Sequence, residues 1–269
     1  MNDGLQTYEL FAIKYARRDG RRADNFIGGD DDHSSAMPLD YYVWAARNGE
    51  RSVVIDTGFN AEVAARRGRK ILRCPIDSLR LVGIDPDAVT DAVITHLHYD
   101  HVGNFTLLPS ARFHIQEPEM HFAAGRHMKH PHFAHHYEPD DVAAMVKMNF
   151  AQRVEMHNGP ATLAPGIELI PVGGHTPGLQ VVRVHTARGW VVLASDASHF
   201  YDNIENGRPF SNVYHVEEML EAYSTVYAAA DSRQHVIPGH DPLVLERYPA
   251  PTPELQGTVA RLDVAPSNG

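Results

Sequence analysis

Short apolar runs, each closed by a turn signal, set the pattern of this chain. Residues 51–56 carry Val53, Val54 and Ile55 in succession and stop at Thr57-Gly58, as a buried strand does. Residues 91–95 form a second such run that feeds directly into His96. Residues 111–116 alternate like a half-buried strand, and Pro118 then opens a predicted helix through Ala124. Further strands are predicted over 167–172, 180–184 and 190–195, with a last short one over 235–238 before Gly239-His240. Helical spacing runs over 216–230, with Met219, Leu220, Tyr223, Val226 and Tyr227 on one stripe. No internal repeat or linker interrupts the chain. The tail from Pro249, with four of the 18 prolines, is predicted to wrap the surface. Strands outnumber helices, and several strand ends run into His, Asp or Gly, where loops can converge on one point.

Composition narrows the class. A chain of 269 residues, 43% hydrophobic, can bury roughly 75% of its unfolded surface and is read as one domain over 1–269. The balance of 24 Lys and Arg against 34 Asp and Glu leaves −10. That field repels phosphate backbones and anionic lipid, so no nucleic-acid partner is expected. No stretch approaches the ~20 apolar residues of a membrane span. Arg17, Arg18, Arg21 and Arg22 interrupt the first 29 residues where a signal-peptide core would lie, so a cytoplasmic protein is expected. The single cysteine, Cys74, excludes a disulfide framework and a four-cysteine zinc site. Any metal must be held by nitrogen and oxygen, and the chain has 18 histidines.

Their placement is informative. Thr95-His96-Leu97-His98-Tyr99-Asp100-His101 is an H-x-H-x-D-H run at a strand end, and chance would supply on the order of 0.006 such runs in this chain. Imidazoles at alternating positions leave the strand pointing the same way, while Asp100 and His101 turn onto the next helical start. One segment can thus serve two neighbouring metals, and zinc accepts both imidazole nitrogen and carboxylate oxygen. Three strand ends add Gly174-His175-Thr176-Pro177-Gly178, Ser195-Asp196 and Gly239-His240. Each alone reads as a turn or cap; together they read as a metal site.

With these motifs on one chain, the sequence resembles the metallo-β-lactamase superfamily over roughly 53–240. The resemblance implies an α/β (α+β) fold, the αββα four-layer sandwich, with two mixed sheets face to face. It assigns His96, His98 and His175 to a first metal, Asp100, His101 and His240 to a second, and Asp196 to both. Asp56 matches the family's strand-end aspartate that supports the metal loop through hydrogen bonds. Two zinc ions per chain are expected, although Mn, Fe or Co suit the same donors. A pair of metals generates hydroxide near neutral pH and polarises a carbonyl, so no Ser or Cys nucleophile is needed. Gly-x-Ser-x-Gly is absent, and Cys74 is read as structural.

Within the family, diiron members carry Glu where this chain has His98, together with a flavin domain. Glutathione thioesterases carry a C-terminal helical domain. The 29 residues after His240 leave room for neither. RNA-processing members bring basic surfaces, and periplasmic β-lactamases usually have other second-site ligands, including Cys. The run from His96 to Asn104 and the segment from Ser195 to Ser198 look like those of N-acyl-homoserine lactone lactonases. The expected function is therefore a dinuclear hydrolase opening a lactone or related cyclic ester by a metal-bridging hydroxide, with Asp100 shuttling a proton. The alternatives are a thioester or amide hydrolase and a non-catalytic metal-binding protein. The expected partner is a small-molecule lactone or ester.

The chain departs from the lactonases three residues after the bridging aspartate. His199 stands where they carry a tyrosine directed at the lactone carbonyl, and Tyr201 follows two residues later. One of the two, His199 by position, is expected to donate to that carbonyl. The His-rich segment 120–137 is read either as solvated surface or as part of a lid insertion over 118–150. The arm 26–38 is read as surface, pocket wall or homodimer contact. The charge runs 17–22 and 30–32 are read as solvated surface.

Overall fold

The computed structural model describes residues 4–29 and 32–267. Of the acidic run at 30–32, Asp30 and Asp31 lie outside the described residues. The strands in chain order are Glu9–Arg18 (β1), Leu39–Arg47 (β2), Ser52–Ile55 (β3), Lys70–Ile71 (β4), Asp91–Val93 (β5), Arg112–Gln116 (β6) and Val154–His157 (β7). The second half supplies Ala161–Ala164 (β8), Ile167–Pro171 (β9), Gln180–Thr186 (β10), Gly189–Ser195 (β11), Val236–Pro238 (β12) and Val259–Arg261 (β13).

They form two mixed sheets, one in the order β13-β1-β2-β3-β5-β6-β7 with β4 on β1, the other β12-β11-β10-β9-β8. In the first, β3, β5, β6 and β7 are parallel; in the second, β11 and β12 are parallel. Parallel neighbours end at the same edge, so β3, β5 and β6 of one sheet, and β11 and β12 of the other, each deliver their loops together.

Alternation along the strands explains the layering. Leu10, Ala12, Tyr42, Trp44, Val53 and Ile55 face inward and pack against Leu169, Val182, Val184, Val191, Leu193 and Ile237 of the second sheet. The opposite face of the first sheet, including Phe11, Ile13, Val43 and Val54, is covered by Val63, Leu79, Phe122 and Met145 from helical segments. The outer face of the second sheet, with Val181, Val192 and Ala194, is covered by Met219, Ala222, Tyr223 and Val226 of the helix Val216–Ala229. The four-layer αββα sandwich expected from the sequence is present.

Two expectations are corrected. The tail does not simply wrap the surface: Val259–Arg261 pairs antiparallel with β1, and Ala260 and Leu262 are fully buried. Nor is the run 17–22 all solvated surface, because Arg18 lines the cavity described below. No helix among the described residues is long and apolar enough to cross a membrane.

The helix Pro139–Phe150 begins with a cost. Asp141 Oδ2 is buried without a hydrogen-bond partner among the described residues. Burial, then the neighbouring Glu138 and Asp140 carboxylates, push its pKa up from 3.8 to about 6. The folded state thus holds the proton more tightly than the unfolded chain. Protonation stabilises the fold fully below about pH 4, and that contribution is lost as pH rises through about 6. Asp141→Asn removes this loss. Discounted for partial exposure, it should raise stability at pH 7.5 by about 1 kcal/mol, or about 2–4 °C in Tm. Thermal melts of both proteins at pH 5 and pH 7.5 check this: a gain that does not grow with pH would refute the assignment.

Candidate metal centre

The strand ends converge on one carboxylate. Asp196 follows β11, and its two oxygens face different groups of histidines. Oδ2 lies 3.1 Å from His175 Nε2 and 3.7 Å from His96 Nε2, while His175 Nε2 lies 3.0 Å from His98 Nδ1. Oδ1 lies 2.9 Å from His240 Nε2 and 3.3 Å from His101 Nε2. Asp100 Oδ2 completes the second group at 3.8 Å from His101 Nε2 and 3.9 Å from His240 Nε2. Within each of the groups His96/His98/His175/Asp196 and Asp100/His101/His240, one donor atom per residue lies within 4.8 Å of the others. A third group, Asp196/His199/His240, meets the same criterion.

Four of these histidines have their other ring nitrogen anchored behind the centre. His101 Nδ1 lies 2.6 Å from Asp56 Oδ2, His96 Nδ1 3.2 Å from Thr95 Oγ1, His175 Nδ1 2.8 Å from the Asn212 carbonyl, and His240 Nδ1 3.0 Å from the Asp40 carbonyl. Such contacts fix ring orientation and tautomer. Asp56 also accepts from Thr95 N and Thr95 Oγ1, each at 2.8 Å, the loop support expected of it. Asp56 and Ser195 hold left-handed backbone, at φ 61° and 46°. Strain of that kind, about 1–3 kcal/mol each, is typical of functional sites.

Two observations test whether metal ions fit. His96 Nε2 and His101 Nε2 are buried with no hydrogen-bond partner, although both rings are otherwise held; an orphaned donor pointing into a cluster is costly unless something binds it. The charges make the same demand. Burial pushes His96 and His98 well below the ordinary imidazole value. Against burial, Asp196, Asp56 and Asp100 hold His101 well above it, and Asp196 itself lies well below the carboxylate range because His199, His101, His240 and His175 surround it. The carboxylate is stable only among positive charge, which divalent ions supply more strongly than protons. Imidazole and carboxylate donors suit such ions.

The family model of the metallo-β-lactamase superfamily matches residues 37–241. The chain belongs to that superfamily. Among its relatives is an N-acyl homoserine lactonase of Bacillus sp., 28% identical over 137 residues, 51% of this chain and 49% of the relative. The N-acyl homoserine lactonase AiiB of Agrobacterium fabrum is 27% identical over 57% of this chain and 61% of its own length. The matches thus span about half the length of the first of these relatives. A crystal structure of a quorum-quenching N-acyl homoserine lactone lactonase superposes with a TM-score of 0.73, at 21% identity over 88% of this chain and 94% of that one. At that identity the likeness establishes the superfamily fold.

Of the residues expected in the site, His96, His98, Asp100, His101, His175, Asp196, His199 and His240 are brought together. Tyr201 is not. It packs between the sheets with the Arg247 guanidinium 3.8 Å over its ring, and its buried hydroxyl has no partner. His199 lines the cavity of about 130 Å³ above the centre, stacks on Phe210 at 3.6 Å and places Nε2 3.0 Å from Asp196 Oδ2. Burial pushes its pKa down to about 3. The His-rich segment divides. His135 and His136 line this cavity, and His136 packs 5.1 Å from His98. His121, His130 and His132 are exposed.

Sequence reasoning missed Glu119. This fully buried carboxylate follows β6 and accepts from Leu97 N at 3.0 Å, Tyr137 OH at 3.0 Å, Thr176 Oγ1 at 2.6 Å and Gly178 N at 3.2 Å. It ties the His96–His98 loop to the His175 loop and to the end of the His-rich segment. A Cβ on Gly178 would overlap the Glu119 backbone, which is why glycine stands there. In sequence, Glu119 looks like any acid in a helix's first turn. All four partners are donors, and an amide offers one acceptor oxygen where two are needed. Glu119→Gln should therefore cost about 3 kcal/mol of stability and weaken metal binding about tenfold or more. Chemical denaturation and competition with a chromophoric chelator read the two effects; unchanged metal affinity would make Glu119 a folding residue only.

Proposed function

We propose that the protein is a dinuclear metal-dependent hydrolase that opens a lactone or related cyclic ester. The observation that carries this reading is the division of Asp196 between two complete donor sets. His96, His98 and His175 with Asp196 would hold one ion, and Asp100, His101 and His240 with the same aspartate the other, zinc being the ion these donors suit. The relatedness to N-acyl homoserine lactonases supports a lactone as the substrate. Two bound divalent ions supply Lewis acidity toward a water molecule and toward the substrate carbonyl.

The side chains account for the rest. Opening the ring adds water: a C–O bond forms at the carbonyl carbon, the ring C–O bond breaks, and a proton must reach the leaving alkoxide. Asp100 lines the cavity, and its main-chain carbonyl is fixed by the Tyr15 hydroxyl at 3.0 Å. It is the carboxylate placed to carry that proton. His199 lines the cavity next to the shared carboxylate, with Nε2 3.0 Å from Asp196 Oδ2; a metal-bound Asp196 would leave its ring free to donate. It is the group available to the developing oxyanion. His135 and His136 line the cavity, which supports reading 118–150 as a lid within a single domain.

Loaded with zinc, the protein should carry about two ions per chain, and His240→Ala about one, by elemental analysis. It should hydrolyse lactones of graded ring and tail at least tenfold faster, in kcat/KM, than a matched thioester. One ion in the loaded wild type would refute the dinuclear reading, and a preference for the thioester would refute the lactone reading.

His199→Ala should lower kcat about 10²-fold, the scale of losing one oxyanion donor, with both metals retained. Tyr201→Phe should leave kcat within about threefold and leave Tm unchanged or raised, because it deletes a buried hydroxyl that has no partner. Steady-state kinetics with metal analysis separates the two; a large kcat loss in Tyr201→Phe alone would reverse the assignment.

A further inference from the structure

The wall of the cavity opposite the second sheet is basic in an acidic protein. Arg18, Arg67 and Arg69 open onto the same space as Asp100, Asp196 and His199. β1 and β4 run antiparallel, with Ala16 opposite Ile71 and Arg17 opposite Lys70. Arg18 and Arg69 are the next residues beyond that pairing, and both line the cavity. Nearby arginines are answered by carboxylates: Arg17 by Asp19, Arg21 by Asp24 and Arg22 by Asp202. The Arg18 guanidinium makes no ion pair within 4.0 Å and no side-chain hydrogen bond among the described residues, and the acid whose charge it feels, Asp24, is itself paired with Arg21. Arg69 spends Nε on the Tyr99 hydroxyl at 3.0 Å and Nη1 on the Arg67 carbonyl at 2.7 Å, neither of which is a countercharge. Arg67, by contrast, is paired with Glu138 at 2.8 Å.

Both arginines stand close to the candidate centre. The Tyr99 hydroxyl that holds Arg69 lies 3.2 Å from the Tyr41 hydroxyl, and the Tyr41 ring packs edge-on against His240 with centroids 5.2 Å apart. The carboxylates that line the cavity are Asp100 and Asp196, both members of the candidate metal cluster; Asp100 acts on Arg69 at a distance, and neither forms an ion pair with Arg18 or Arg69. A guanidinium presents parallel N–H donors that match a carboxylate bidentately.

We propose that Arg18 and Arg69 bind a carboxylate carried by the substrate, so that the ester opened here is an anion; this rests on the hydrolase reading above. The anionic group docks on the arginine wall and presents its ring carbonyl to the centre beyond Tyr41. The net charge of −10 repels such a substrate at long range, so its recognition is local and salt-sensitive.

The test compares γ-butyrolactone-5-carboxylate with its neutral carboxamide on the metal-loaded enzyme, alongside calorimetric titration of glutarate. Wild type should prefer the carboxylate at least tenfold in kcat/KM. In Arg18→Gln and Arg69→Gln that ratio should fall below about threefold, through KM. Glutarate should bind wild type at least tenfold more tightly than either variant, with circular dichroism confirming the fold. Equal rates on the two lactones in wild type, a preference that survives both substitutions, or glutarate binding indifferent to them would each overturn the proposal. If neither lactone is turned over, the hydrolase reading fails, and arginine-dependent glutarate binding alone decides the anion site.

Discussion

Everything in this molecule is arranged around the problem of holding Asp196. A buried carboxylate is costly unless positive charge or donors surround it, and among the described residues no backbone donor is bonded to this one's side chain. It is stabilised by imidazoles alone: His175 and His199 on Oδ2, His101 and His240 on Oδ1. Those rings come from both sheets. His101 follows β5 and His175 lies in the β9–β10 turn, whereas His240 follows β12 beside Asp196 at the end of β11. The two sheets must therefore close face to face before the carboxylate is satisfied, so the sandwich and the site are one requirement. The left-handed backbone at Asp56 and Ser195 is tolerated because the same convergence holds both residues in place.

Much of this was legible in the sequence, and for a physical reason. Metal ligands must leave short, rigid strand ends at fixed spacing, so H-x-H-x-D-H and the Gly-His and Ser-Asp strand ends carry the geometry in their order. The strands leading into them were found within one or two residues, because each ends on the turn that makes the site. β1 and β2, the longest strands, were not found. β2 reads Leu-Asp-Tyr-Tyr-Val-Trp-Ala-Ala-Arg, and eight of its nine residues are buried. Such a central strand loses its alternation, and a continuous apolar run does not distinguish strand from helix. The pairing of β13 with β1 was illegible for another reason: it is a contact between the two ends of the chain.

The residues that support the centre are harder to read than those that form it. Glu119 and the carbonyls of Asp40 and Asn212 act through where the fold places them, not through their neighbours in sequence. Any residue but proline can offer a carbonyl with an N–H of its own, so sequence carries no mark of the role. His199 and Tyr201 show the converse. They are two residues apart at a strand-to-helix turn, and the turn sends one ring onto Phe210 beside Asp196 and the other between the sheets. Proximity to a motif is thus a weak guide to which side chain faces the chemistry.

Arg18 shows why charge runs mislead. In sequence it is one of four arginines in six residues, a pattern that reads as solvated surface. In the fold, the neighbours divide: Arg17 pairs with Asp19, while Arg18 lines the cavity that Arg69 also lines. Charge alone could not have separated them; their place in the fold does. A lone guanidinium on a surface costs little, since water and salt screen it. Two on one wall of a cavity, neither in an ion pair, keep donors and positive charge turned to the space beside the candidate centre. An anionic ligand can use both, whereas a neutral one cannot. On the proposed reading, the reaction would depend on Asp196 and the histidines around it, and the choice among substrates would fall to the charged wall beside them.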